Sequence, residues 1–221
     1  MTASHPLPEL AEPEGQLLHQ RSYDVRAYRQ GPDRLLVRGE LRDQKPAGMV
    51  IADDPEPLTV HHMVVDLLVE VPGFIITEVD VVMATTPHRL CRSIEDDYQR
   101  LVGVSVARGF SRTVKDLFGG PRGCTHVGAL LLAMAPAVIQ TTWSLQAMTV
   151  REQGTAVATP SASIDPLDRI RYNVNTCHVW AEDGDMVADV VAGREVELPL
   201  WAERRLAELG RDPRSWRPGA G

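Results

Sequence analysis

The stretch RGCTHVGALLL, residues Arg122–Leu132, holds two side chains whose types and spacing suit chemistry: Cys124 and His126. A thiolate is both a nucleophile and a metal ligand, and a helix N-terminus favours it. An imidazole takes or gives a proton near neutral pH. Thr125 reads as an N-cap, which leaves Cys124 just outside a helix and His126 in its first turn. Within a helix an i, i+2 pair points apart. At a cap the preceding residue is not helical, so both side chains can turn into one pocket. The same pattern describes a buried thiol beside a hydrogen-bonded histidine, because free cysteine is among the most buried residue types. The leucines after Gly128 require burial in either case.

A second group comes from LTVHHMVVDLLVEV and FIITEVDVVMATT, joined by Pro72 and Gly73. Both runs are rich in Val and Ile and read as a hairpin. Pro72 suits position i+1 of a type II turn, and Gly73 the positive φ at i+2. On a strand His61 and His62 face opposite sides. A two-residue turn pairs Val71 with Phe74, so Val65 faces Asp80, Leu67 faces Glu78 and His61 faces Ala84. That register puts His61, Glu78 and Asp80 on an otherwise apolar face, which is costly unless they are paired or functional. A slip of one residue reverses the assignment and leaves them on the rim of the sheet.

Other candidates carry less. Cys177 and His178 are adjacent on an expected strand, so at most one joins a common site. Cys91 precedes an expected helix, and His88 reads as a solvated loop residue. The cysteines and histidines supply enough ligand types for a divalent metal such as zinc. However, there is no C-x-x-C and no H-E-x-x-H. GGPRG is not followed by Lys-Ser or Lys-Thr, and there is no G-x-S-x-G elbow. The sequence therefore names no cofactor.

The elements that must position these residues fall into two halves. Residues 1–18 read as a flexible tail rich in Pro and Glu, and residues 19–221 as a single α+β domain. RSYDVRAYR places Tyr23, Val25 and Ala27 on one face; RLLVRGEL follows the turn QGPD, giving a first hairpin. PAGMVIADDPEP is a connector, since strands do not hold that density of proline. With the second hairpin this makes an antiparallel β-meander, packed by helices from the C-terminal half. In SIEDDYQRLVGV, Ser93 and Asp96 suggest a capping box. FSRTVKDLFGG is a helix ending at Gly119. THVGALLLAMAPAVIQTTWSLQAM is apolar almost all round, hence a buried helix, with a kink or break expected near Leu132–Ala135 because of Pro136. SASIDPLD reads as loop, RIRYNVNTCHVWA as strand, MVADVVAG as an apolar run of undecided type, and LPLWAERRLAELG as a helix from Pro199 to Gly210.

Composition bounds the partners. The formal net charge is −7 over 221 residues. Nucleic-acid binders usually carry a basic face, and here Arg204, Arg205, Arg211, Arg214 and Arg217 alternate with acids. Three cysteines are no disulfide framework. The N-terminus has no basic and apolar leader pattern, and no run nears 18 consecutive apolar residues. The expectation is a cytoplasmic protein with reduced thiols, no membrane and no nucleic acid; association with a second copy stays open.

Several stretches together resemble the bacterial domain-of-unknown-function family 2889, over about His19 to Gly184. They are HQRSYDVRAYRQ with RGELRDQK, the His-x-Met of VHHMVV, ITEVDVVMATTP, the Cys…Tyr-x-x-Leu-Val-Gly of CRSIEDDYQRLVG, LFGGPRGCTHVGALL and NTCHVWAEDG. Two positions depart from the family's pattern. Its His-Asp-Met is His-His-Met here, with His62 in place of the acid, and its second-strand Glu is Asp80. As context, the resemblance implies bacterial catabolism of aromatic or lipid-like acids. It also implies that the Gly-Cys-Thr-His stretch belongs to a site.

These readings favour an enzyme of lyase, isomerase or hydrolase type acting on a small, partly apolar molecule. Its pocket is expected between the sheet face and the helix that begins at Cys124. His61 or His126 would be general acid/base, with Asp80 alongside. Cys124 would be nucleophile, metal ligand or pocket wall. Arg122 would hold a substrate carboxylate, with Tyr98 and Glu78 lining the site. The alternatives are a binding module with no turnover, a metal-dependent site of His61, Cys124 and His126, and an assembly subunit that docks through Trp201, Leu206 and Leu209.

Overall fold

The structure is a computed structural model, and it describes residues 13–71, 73–107, 109–153, 165–194 and 196–212. Pro72, most of the proposed tail, the loop through Ser161–Ile164, and Arg214 and Arg217 lie outside the described residues.

Alternation of apolar and polar residues produces the expected meander. Strands β1 (Gln20–Arg29), β2 (Arg34–Lys45), β3 (Leu58–Glu70) and β4 (Ile75–Thr85) form one antiparallel sheet in sequence order. Its inner face is a row of buried residues, among them Val37, Leu41, Met63, Val65, Leu67, Ile76 and Met83. The outer face carries the charges: Arg38 is bonded to Asp66 at 2.7 Å, and Arg42 to Glu40 at 2.7 Å.

The second hairpin departs from the expected register. Pairing begins as a two-residue turn dictates, with Glu70 opposite Ile75 and Val69 opposite Ile76. A β-bulge then inserts Thr77, whose hydroxyl donates to the Leu68 carbonyl at 3.2 Å, and Leu68 pairs with Glu78. A bulge moves every later side chain to the other face. Val79, Val81 and Met83 therefore point inward, while Glu78 and Asp80 are exposed on the outer face, with Asp80 opposite Asp66. Glu78 and Asp80 do not share a face with His61. Nor is Gly73 the left-handed residue of the turn; that is Phe74, at φ 54°.

The segment expected to be a helix capped by Ser93 is instead two 3₁₀ helices, Arg89–Ile94 and Asp96–Leu101. The Ser93 hydroxyl donates back to the Leu90 carbonyl at 2.8 Å. The irregularity has a physical use, because β4 is an edge strand. Glu95 accepts the Met83 N–H at 2.6 Å, and Gln99 donates to the Val79 carbonyl at 2.6 Å. Side chains thus occupy backbone groups that an open edge would offer to another chain.

Helices α1 (Phe110–Phe118) and α2 (Thr125–Gln153) follow. α2 lies across the inner face through Val127, Leu130, Leu131, Met134 and Val138, all buried. It comes close because β2 has glycine at position 39: a Cβ there would sit 2.5 Å from Met134 Sδ and 3.0 Å from Leu130 Cδ1. Of the kink or break expected near Leu132–Ala135, no break occurs; the helix runs through Pro136. Proline removes one donor, and buried residues on both sides of it hold the helix on the sheet. By length and composition alone, Thr125–Leu145 is apolar enough to cross a membrane. One face of it packs on the sheet while the rest is half-buried or exposed, as at Leu132 and Trp143, so the burial expected of this helix holds for one face alone.

The expected strand RIRYNVNTCHVWA is not one. Its residues form the end of α3 (Pro166–Ile170), turns, and a 3₁₀ helix at His178–Trp180. Asn175 takes φ 61° and binds Glu182 through both its side-chain groups, at 3.0 Å each, which local propensity for strand does not anticipate. α4 (Asp185–Val191) and α5 (Leu200–Glu208) follow. Ile170, Val174 and Val187 form a small second core. The overall class is α+β: N-terminal strands, then helices.

Candidate functional site

The inward row of β2 reads Leu35, Val37, Gly39, Leu41 and then Asp43. A carboxylate thus continues an apolar face, and it is the one buried charged residue among those described, with its side chain 2% exposed. A buried carboxylate is costly unless it is paired and hydrogen-bonded. Arg21, directly across on β1, meets both its oxygens: Nε to Oδ1 at 2.6 Å and Nη2 to Oδ2 at 2.7 Å. From just before β1, His19 Nε2 reaches Oδ1 at 3.4 Å.

Two imidazoles arrive at Oδ2. His61, paired with Asp43 across β3, places Nδ1 at 3.1 Å. His126, in the first turn of α2, places Nε2 at 3.2 Å. The two rings stack, with centroids 3.8 Å apart and planes at 26°. Cys124 sits just before the helix, and its Sγ is 3.6 Å from His126 Nδ1. Its carbonyl accepts the Gly128 N–H at 2.9 Å, so the pair sits at the opening turn of α2.

The Arg21 guanidinium is the main cause that holds the Asp43 carboxyl down at about 2; the His126 and His19 imidazoles add to it. Burial is the main cause that lowers the His126 pKa from the ordinary imidazole value, helped by His61 and Arg21 and opposed by Asp43. His126 is therefore a neutral imidazole with one N–H. An ionised carboxylate only accepts hydrogen bonds. The proton accordingly lies on Nε2, facing Asp43, and the lone pair of Nδ1 faces the Cys124 thiol. This tautomer follows from the partners. His61 likewise turns Nδ1 to the ionised carboxylate, so that nitrogen carries a proton.

Three of the four expected catalytic residues, His61, Cys124 and His126, come together here; Asp80 does not, because of the bulge. Glu78 is likewise on the far face. Arg122 is exposed and donates to the Lys115 carbonyl at 3.3 Å, at the end of α1 and outside the cluster on Asp43. Tyr98 is buried, accepts the Cys124 backbone N–H at 2.8 Å and stacks on Phe118 at 4.5 Å, so it positions the start of α2. Burial pushes its phenol up to about 12, so it stays protonated. Cys177 and His178 are exposed, and Cys91 is half-buried against the core. A cleft of about 390 Å³ opens at Ala84–Arg92, and none of the cluster residues lines it.

Sequence reasoning missed Asp43, Arg21 and His19. The signal was present: the row Tyr23, Val25, Ala27 extends backward to Arg21, and the alternation of β2 extends forward to Asp43. The turn QGPD fixes their pairing.

Asp43, His61 and His126 also offer three ligand atoms within 4.8 Å of one another. Two nitrogens and an oxygen on a zinc-like ion at roughly 2.0–2.1 Å would stand about 3.3 Å apart, close to what is seen. Against a cation stands Arg21, whose positive charge already neutralises this carboxylate from both oxygens.

The family model described as "Protein of unknown function (DUF2889)" matches residues 19–140, more than half the chain, and covers every residue of the cluster. The stretch NTCHVWAEDG lies beyond the matched range. No curated protein matches, and no solved structure matches.

Proposed function

The chain belongs to the DUF2889 family, and from the geometry of its inner cluster we propose that it is an enzyme acting on a small, partly apolar molecule by acid–base chemistry. The observation that carries this reading is the convergence of His61 and His126, from a strand and a helix, on one buried carboxylate neutralised by Arg21. A structural ion pair needs only Arg21 and Asp43. The stacked imidazoles add titratable groups that packing alone does not require. His126 is the general base and Asp43 the positioning residue that fixes its tautomer, the division of roles seen wherever a carboxylate orients a catalytic imidazole. Because the His126 pKa is lowered, the base is available at neutral pH, and the acid limb of the rate profile falls below 6.5. The net charge of −7 supports a small-molecule rather than a nucleic-acid partner, and free thiols support a reducing compartment such as the cytoplasm.

The test is turnover by purified protein of a panel of aromatic and lipid-like acids, their esters and their lactones. Conversion that is lost in Asp43→Asn, with the acid limb displaced, supports the reading. Binding without conversion makes the protein a binding module instead.

One observation favours a metal-dependent second reading: Asp43, His61 and His126 each turn a ligand atom to one place, all within 4.8 Å of one another. Elemental analysis of purified protein decides it. Stoichiometric zinc or another transition metal, with activity lost in chelator, would establish that reading; activity intact in chelator removes it.

A further inference from the structure

We propose that Cys124 is a nucleophile that forms a covalent thioester with an acyl substrate, an ester or a lactone. The proposal rests on the reading of the Asp43–His126 pair as a general-base device and adds the group it serves. Three features point the same way. His126 Nδ1 lies 3.6 Å from Sγ and its Nε2 lies 3.2 Å from Asp43, the nucleophile–base–orienter order of a thiol relay. Tyr98 holds the Cys124 backbone N–H at 2.8 Å, which fixes the thiol's anchor point. The residue immediately precedes a 29-residue helix, whose first-turn amides have no intrahelical acceptors and are donors of the kind that stabilise an oxyanion. Neither Cys91 nor Cys177 has an imidazole within hydrogen-bond reach among the described residues.

The chemistry closes without a co-reactant other than water. Sγ attacks the acyl carbon as its proton passes to His126 Nδ1, and the carbonyl π pair moves to oxygen. Collapse breaks the carbon–oxygen bond, and the leaving alkoxide takes the proton from Nδ1. Water then gives a proton to Nδ1 and attacks the thioester. The carbon–sulfur bond breaks, Sγ regains its proton, and ester plus water has become acid plus alcohol.

Alkylation of the intact chain by iodoacetamide at pH 7, with each cysteine followed by peptide mass spectrometry, tests this without a known substrate. Cys177 is exposed and serves as an internal control. Cys124 is expected to react about tenfold faster than Cys177 despite its partial burial. His126→Asn should abolish the excess and leave Cys177 unchanged; circular dichroism checks that the variant folds. The wild-type comparison stands if it does not fold. With p-nitrophenyl acetate, one acetyl group should appear on the Cys124 peptide. A Cys124 rate no greater than that of Cys177, or one indifferent to His126→Asn, overturns the proposal. An unreactive Cys124 alongside turnover that Asp43→Asn abolishes would remove the nucleophile and leave the acid–base reading standing. A reactive Cys124 with turnover indifferent to Asp43→Asn would do the reverse.

Discussion

Each face of the sheet carries an acid bound to an arginine and to histidine. On the outer face Glu40 binds Arg42 and His62, each at 2.7 Å. On the inner face Asp43 binds Arg21 and two histidines. The difference is water: the Glu40 side chain is 24% exposed and the Asp43 side chain 2%. Outside, solvent screens the charges and the group can rearrange at little cost. Inside, the carboxylate is fixed by its partners, and it in turn fixes which nitrogen of each imidazole carries the proton. Residue type therefore does not distinguish a site from a decorated surface. Burial and convergence from separate elements do.

The largest expected effect is on folding. Asp43→Ala should destabilise the protein by about 2–3 kcal/mol, because Arg21 and His61 lose their hydrogen bonds to a charged group. Glu40→Ala should cost less than about 1 kcal/mol. Chemical denaturation at pH 7 measures both, and equal losses would break the comparison.

Next comes acid. The Asp43 carboxyl titrates at about 2 in the fold against 3.8 without its partners. A depressed carboxylate stabilises the native state above the unfolded value, and the contribution is lost as pH falls from 3.8 to about 2. The amount is roughly 2 kcal/mol. For His126 the sign is read separately. A lowered imidazole value means that the unfolded chain binds the proton more readily, so stability also declines as pH drops below 6.5. Denaturation midpoints of wild type and His126→Gln from pH 7.5 to 5 should converge as pH falls.

Of similar or smaller size is the effect of Gly39→Ala. The new methyl meets the flexible Met134 side chain, so the cost is about 1–3 kcal/mol. Because the helix shifts off β2, thiol reactivity at Cys124 should fall as well. The smallest effect is Asp80→Ala, expected to leave stability within about 0.5 kcal/mol and any turnover unchanged, since Asp80 lies exposed on the outer face.

The meander, the class and the Cys124–His126 pairing were all legible because period-2 alternation and a cap before a leucine run are local signals. What failed was set by nonlocal detail. One bulge at Thr77 carried Asp80 away from His61, and nothing in ITEVDVV announces a bulge. The strand-like RIRYNVNTCHVWA folds as turns around Asn175, whose side-chain bonds to Glu182 outweigh β propensity. Of the two expected substrate anchors, Arg122 donates to the last turn of α1 and Tyr98 is buried, its hydroxyl on the Cys124 backbone N–H. Asp43 lies past the apolar run RLLVRGEL, where a single acid in a polar stretch carries no local sign of burial; the β2 alternation continued to its end places it inward.

The central claim is that buried Asp43 sets the tautomers of His61 and His126. Imidazole ¹⁵N spectra of the labelled protein read this directly at pH 7. The account predicts a proton on Nε2 of His126 and on Nδ1 of His61, with His126 titrating below 6.5. A proton on Nδ1 of His126, or a titration midpoint above 6.5, would contradict it.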